Sequence, residues 1–190
     1  MGLEEAGVKL SEPGEKVIVD ECFQTSLPGV YAVGDLIDGP MLAHKASAEA
    51  SAVVDVISGK KSEIRYDVLP GVIYTWPEVA GIGLTEEQVK EQGRSYQVAV
   101  IPFAGSGRAQ AAGETDGQVK VICDGFNQKI LGVHIIGSRA ADIIDAASIA
   151  ITKEMTTHEV YSIICAHPSF SEIWHEACFA ASVSPIKKSN

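Results

Sequence analysis

Short apolar runs, broken by Gly, Pro and polar clusters, make up most of this chain, and only a few stretches carry apolar residues at helical spacing. Lys16-Val17-Ile18-Val19-Asp20 reads as a strand after the Glu12-Pro13-Gly14-Glu15 turn. Residues 29–33 read as a second strand after the break at Leu27-Pro28-Gly29. A helix is expected from Leu42, with Leu42, Ala46, Ala50, Val53, Val54 and Ile57 on one face and Gly59 at its end. Alanine is frequent on that face, which suits close approach to a flat surface such as a sheet or a cofactor. The polar stretch Gly59-Lys60-Lys61-Ser62-Glu63 then places a domain boundary at residues 65–67.

Beyond that boundary strands dominate. Residues 71–75, 78–84 and 96–102 are strand candidates, and 118–124 with 129–136 flank Gly125-Phe126-Asn127-Gln128, a hairpin signal. Thr85-Glu86-Glu87-Gln88 is a capping box that opens a short helix closed by Gly93, and Thr156-Thr157-His158-Glu159 is a second box. Residues 139–153 form a long amphipathic helix, with Ile143, Ile144, Ala147, Ile151 and Met155 at core spacing. Ser169 with Glu172 is read as a third box, in which Pro168 precedes the helix start. Strands followed by helices, without strict alternation, give an α+β fold with a mainly antiparallel sheet.

Composition narrows the partners. The chain has 190 residues, 46% hydrophobic and 21% charged, with a formal net charge of −10. That balance fits a globular protein and disfavours nucleic acid, whose phosphates attract basic surfaces. No apolar run reaches the roughly 20 residues a membrane span needs, and the start resembles no signal peptide. Cys22, Cys123, Cys165 and Cys178 form neither C-x-x-C nor C-x-x-x-x-C, so no redox pair or zinc knuckle is read here. They read as reduced thiols of a cytosolic protein, and no His/Asp/Glu spacing suggests a metal site.

Two clusters carry possible chemistry. Histidine is the side chain most often used as a general base, and a carboxylate at Glu172 would fix the tautomer of His167 and raise the basicity of its far nitrogen, as in a catalytic triad. The same residues also read as a turn histidine and a helix-start glutamate, and the residues alone leave both open. Gly34-Asp35, at the end of a predicted strand, combines close backbone approach with a carboxylate that can accept from a sugar-like hydroxyl, although Gly-Asp is also an ordinary turn. His134 reads as structural within an apolar strand, and His158 and His175 as surface residues on helices.

His167-Pro168-Ser169-Phe170-Ser171-Glu172, Tyr31-Ala32-Val33-Gly34-Asp35 and Gly39-Pro40-Met41-Leu42-Ala43-His44-Lys45-Ala46 together resemble signatures of the flavin-dependent disulfide reductases. The last run is more similar to the lipoamide dehydrogenases than to glutathione or mercuric reductases. The resemblance implies that residues 1–66 are the carboxyl-side segment of an FAD-binding domain, incomplete here, and that 67–190 are a dimerisation domain. It implies catalytic roles for His167 and Glu172. FAD contacts are implied at Gly34, Asp35, Met41, Leu42, Ala43 and His44, with His44 equally readable as a polar residue of the first helical turn. It also implies a homodimer in which the histidine faces the partner's flavin. An NAD site would lie outside this chain, as would the redox cysteines. A lipoyl-bearing acyltransferase of 2-oxo acid dehydrogenase complexes would be the partner, and the location cytoplasmic, or the mitochondrial matrix in a eukaryote. The chain departs from many lipoamide dehydrogenases in carrying Cys165 where they have a histidine. It is expected to be inactive alone; a non-catalytic dimerisation module, or part of a related reductase, are the alternative readings.

Overall fold

The computed structural model describes residues 2–12 and 16–188, so the expected turn at 12–15 lies mostly outside the described residues. The chain divides into two compact units, Met1–Tyr66 and Asp67–Asn190.

The first unit holds a small apolar cluster of Val8, Val17, Ala32 and Ile37, flanked by Leu3, Leu10, Val19, Phe23 and Leu27. The two strands expected here do not form as ladders. Val17 pairs only with Leu10 and Tyr31 only with Gln24, each through an isolated bridge. The reason is physical. A strand exists through a run of neighbours that takes its hydrogen bonds, and here consecutive amides go to different segments, Val17 N to Leu36 O and Ile18 N to Lys9 O.

Helix α1 (Ala43–Ile57) is the one long element among the described residues of this unit. Its end is closed by paired bonds from Gly59 N to Val56 O and from Lys60 N to Asp55 O, the Schellman pattern. Its orientation corrects the sequence expectation. The buried residues are Lys45, Glu49, Ala52 and Val53, whereas Ala50, Val54 and Ile57 are exposed. Val53 of the expected face is buried and Leu42 and Ala46 are half-buried, so counting apolar residues finds only part of the buried face, because a lysine and a glutamate one turn apart neutralise each other and go inside together.

The second unit is built on a five-stranded antiparallel sheet in the order β1-β2-β5-β4-β3. The strands are β1 (Gly71–Ile73), β2 (Glu78–Gly83), β3 (Tyr96–Pro102), β4 (Gly117–Asp124) and β5 (Ile130–Gly137), and the short helix α3 (Gly107–Ala112) lies between β3 and β4 in the chain. Register pairs Val121 with Val133, Val119 with Ile135 and Ala80 with Ile135, so the same face of β2, β4 and β5 is apolar throughout. Against that face pack α4 (Ala140–Thr152) and α6 (Glu172–Ser182), which bury Ile143, Ile144, Ala147, Ile173, Trp174 and Ala177. On the opposite face Val89 of the short α2 (Glu86–Glu91) forms a smaller cluster with Tyr96 and Ile122. The architecture is therefore α+β with an antiparallel sheet.

Local signals set most boundaries in this unit. Thr85 and Thr156 each head a complete capping box, at α2 and at α5 (Thr157–Tyr161). Helix α4 is capped differently. Its N-cap, Arg139, offers no side-chain bond, and Glu78 of β2 instead accepts from Ala141 N at 2.9 Å. A charged acceptor at the positive end of a helix is favourable on both hydrogen-bonding and dipole grounds.

Candidate functional site

The proposed chemistry falls on both units. In the first, the 3-10 turn Gly34–Leu36 carries Gly34-Asp35 and α1 begins eight residues further on, at Ala43. Gly34 is buried with φ +70°, and a side chain there would be strained and would press within 3.0 Å of Ala46 Cβ. Only glycine lets the turn lie this close to the helix. The Asp35 side chain is exposed, and among the described residues nothing bonds its carboxylate. Its backbone carbonyl accepts from Lys16 Nζ at 2.7 Å.

Leu42 is the N-cap of α1, and its side chain makes no cap bond. Met41, Ala43 and His44 are exposed around this helix start, Met41 at 71%. An open carboxylate and the positive end of a 15-residue helix suit a ligand that offers hydroxyls to one and partial negative charge to the other. These residues fit a flavin's ribitol chain and ring system.

Three residues that no sequence motif singles out build this turn. Glu49 Oε2 accepts from Gly34 N at 2.6 Å, and Lys45 Nζ donates to Gly34 O at 3.0 Å. The pair itself closes at 3.3 Å with both side chains at 0% exposure. Tyr66 Oη donates to Glu49 Oε1 at 2.8 Å. Burial, together with the Glu49 carboxylate, pushes the Tyr66 hydroxyl up to about 12, so it remains a donor. The available signal was a Lys-x-x-x-Glu pair inside an alanine-rich helix, which also reads as an exposed ion pair.

In the second unit His167 and Glu172 come together. His167 Nδ1 and Glu172 Oε1 are 2.6 Å apart, with the imidazole 80% exposed. The other carboxylate oxygen accepts from Ser169 N at 2.6 Å. The Ser169 backbone bond, and after it the bond from His167, hold the Glu172 carboxyl below the usual carboxylate range. The third capping box is therefore only half formed. Glu172 does reach back to Ser169, but α6 starts at Glu172 itself with Ser171 as its N-cap, and Ser169 Oγ faces Cys165 Sγ at 3.7 Å. Ser169 and Pro168 thus belong to a turn ahead of the helix, and the His167–Pro168 peptide is cis.

The remaining histidines and cysteines sort by environment. His134 Nε2 bonds Leu84 O at 3.1 Å within the sheet, and His158 is exposed beside Tyr161. His175 is not the surface residue expected. It is half-buried, burial lowers its pKa, and its Nδ1 has no partner among the described residues. All four cysteines are free, with Cys22 exposed and Cys123 and Cys178 buried. Among the described residues no group of three or more His, Cys, Asp or Glu is placed to hold a metal ion, and no helix is long and apolar enough to cross a membrane.

Comparison with known proteins gives the same class. Residues 69–178 match the pyridine nucleotide-disulphide oxidoreductase dimerisation domain, and residues 1–50 match the pyridine nucleotide-disulphide oxidoreductase model. The chain belongs to the pyridine nucleotide-disulphide oxidoreductase family. Within it, the chain is 44% identical over 186 residues to dihydrolipoyl dehydrogenase 2, mitochondrial, of Arabidopsis thaliana, covering 98% of this chain and 36% of that protein. It is 41% identical over 182 residues to the mitochondrial dihydrolipoyl dehydrogenase of Homo sapiens, covering 96% and 36%. The HOCl-induced flavoprotein disulfide reductase of Escherichia coli superposes with a TM-score of 0.87 at 25% identity, over 94% of this chain and 41% of that one. The chain thus spans little more than a third of the length of the curated relatives it matches.

Proposed function

We propose that this chain supplies the acid–base pair, part of the flavin site and the dimerisation domain of a dihydrolipoyl dehydrogenase. The observation that carries this reading is the 2.6 Å bond between His167 Nδ1 and Glu172 Oε1 beside an otherwise open imidazole. With Nδ1–H donating to the carboxylate, the free lone pair sits on Nε2, facing solvent. Nε2 takes the proton of a dithiol substrate as its thiolate attacks a disulfide, and Glu172 stabilises the imidazolium that results. FAD, when bound, supplies the two-electron acceptor between the dithiol and NAD. This chain's part toward it is to hold: Asp35 accepts from a ribitol hydroxyl, and the backbone at Gly34 and at Met41, Leu42, Ala43 and His44 lies against the flavin.

In this reading residues 1–66 belong to the flavin domain and 67–190 form the dimerisation domain, while the NAD site and redox cysteines lie outside this chain. Exposed apolar side chains on the second unit, among them Tyr74, Trp76, Ile163 and Ile164, support a homodimer. The acidic balance is compatible with a lipoyl-bearing acyltransferase partner through its basic surface. The names of the relatives favour the mitochondrial matrix if the source is eukaryotic, and the cytoplasm otherwise.

The test is to isolate the full-length polypeptide from its source. A subunit more than twice 20.1 kDa, yellow with bound flavin and reducing NAD with dihydrolipoamide, is expected. A colourless product of 20.1 kDa without that activity would replace the enzyme reading with a dimerisation module.

A further inference from the structure

We propose that Lys45 and Glu49 are positioning residues for Asp35, locking the backbone of its turn so that the carboxylate meets the flavin ribitol chain already oriented. The inference rests on the reading of Asp35 as a flavin ligand. Three successive peptide groups of this turn are each held by a different side chain. The peptide before Gly34 donates its N–H to Glu49 Oε2, the peptide between Gly34 and Asp35 accepts from Lys45 Nζ, and the peptide after Asp35 accepts from Lys16 Nζ. The Asp35 side chain, by contrast, is exposed. A tethered backbone under an untethered carboxylate is the arrangement of a preorganised ligand, which loses little freedom when its partner arrives.

The burial of the pair argues in the same direction. Two side chains at 0% exposure have given up hydration, and a buried ion pair is often matched in stability by apolar residues of equal volume. Stability alone therefore does not account for charges here, whereas bonding both faces of one glycine does. The lysine stem also shapes the turn's far end, since a side chain at Gly39 would lie 3.0 Å from Lys45 Cε. Tyr66 Oη completes the network by holding Glu49 Oε1.

The experiment is an FAD titration of the apo form of the full-length polypeptide, followed by flavin fluorescence, with apo-protein melting measured alongside. The variants are Asp35→Ala, Glu49→Gln, the apolar double Lys45→Met/Glu49→Leu, and each of the last two combined with Asp35→Ala. Glu49→Gln and the apolar double are expected to weaken FAD binding roughly ten- to hundredfold. In the Asp35→Ala background the same changes should shrink to less than about threefold, because the pair acts through that carboxylate. Should the charge variants fail to fold, Tyr66→Phe removes a single bond to Glu49 and should still weaken FAD binding by about threefold or more, again only with Asp35 present. Unchanged FAD affinity in folded pair variants, or losses that add fully to that of Asp35→Ala, would overturn the positioning role while leaving Asp35 a ligand. Undiminished affinity in Asp35→Ala would instead overturn the ligand reading and the positioning role with it.

Discussion

Glu172 bonds His167 with one oxygen and the backbone of its own turn with the other, Nδ1 to Oε1 at 2.6 Å and Ser169 N to Oε2 at 2.6 Å. The carboxylate is thereby anchored to the chain before it orients the ring, so the imidazole inherits the rigidity of the start of α6. An exposed side chain held only by solvent would sample many rotamers. Here one nitrogen is fixed and the other remains open.

Replacing His167 by glutamine in the full-length enzyme should lower dihydrolipoamide turnover by roughly 10²–10⁴, the range set by loss of a general base. Steady-state rates with dihydrolipoamide and NAD provide the check. A rate within about twofold of wild type would take His167 out of the mechanism.

Glu86 should make the second unit sensitive to acid. Bonds from Lys120 above all, and also from Tyr96 and Lys187, bring its carboxyl down to about 2 against the pull of burial. A depressed pKa in the folded state means the stabilisation is present above about 4.5 and is lost as pH falls toward 2. Glu86→Gln should therefore lower Tm by roughly 3–8 °C at neutral pH and flatten the loss of stability between those limits. Thermal melts across that pH window decide it, and parallel curves for the two proteins would sink the prediction.

Glu78 should contribute to α4 without belonging to it. Its bond to Ala141 N stands in for the cap that Arg139 does not provide. Glu78→Ala should cost about 1–2 kcal/mol and Glu78→Gln, which keeps an acceptor, much less. Denaturant unfolding of the two variants measures the difference, and equal losses would mean the cap is immaterial.

The sheet of the second unit was legible because its signals are local. The strand pattern along 96–102, the Gly125-Phe126-Asn127-Gln128 turn between 118–124 and 129–136, and the boxes at Thr85 and Thr156 each depend on residues only a few positions apart. The first unit was less legible because its determinants are not. Val17 and Tyr31 sit in strand-like sequence yet pair across single bridges, and α1 turns its charged residues inward because Gly34, eleven residues before Lys45, supplies their partners. At the candidate site, the approach of His167 to Glu172 was readable from spacing. The true start of α6 was not, because Ser169 bonds Cys165 in place of the helix.

The cysteines give a last prediction, on packing. Cys123 lies in β4 and Cys178 in α6, both without accessible surface in the main core. Burial pushes the Cys123 thiol up to about 11 and raises that of Cys178 further. The thiolate is the reactive form, so both conditions for alkylation, access and ionisation, are missing together. Cys22, by contrast, is exposed in the first unit. In the folded chain at pH 8, a maleimide or iodoacetamide pulse should label Cys22 first, while Cys123 and Cys178 react only once the fold is opened by denaturant. Peptide mass mapping after the pulse reads this directly. Labelling of Cys178 at the rate of Cys22 would mean that α6 does not stay packed on the sheet. The turn that presents His167 would then lack its rigid base.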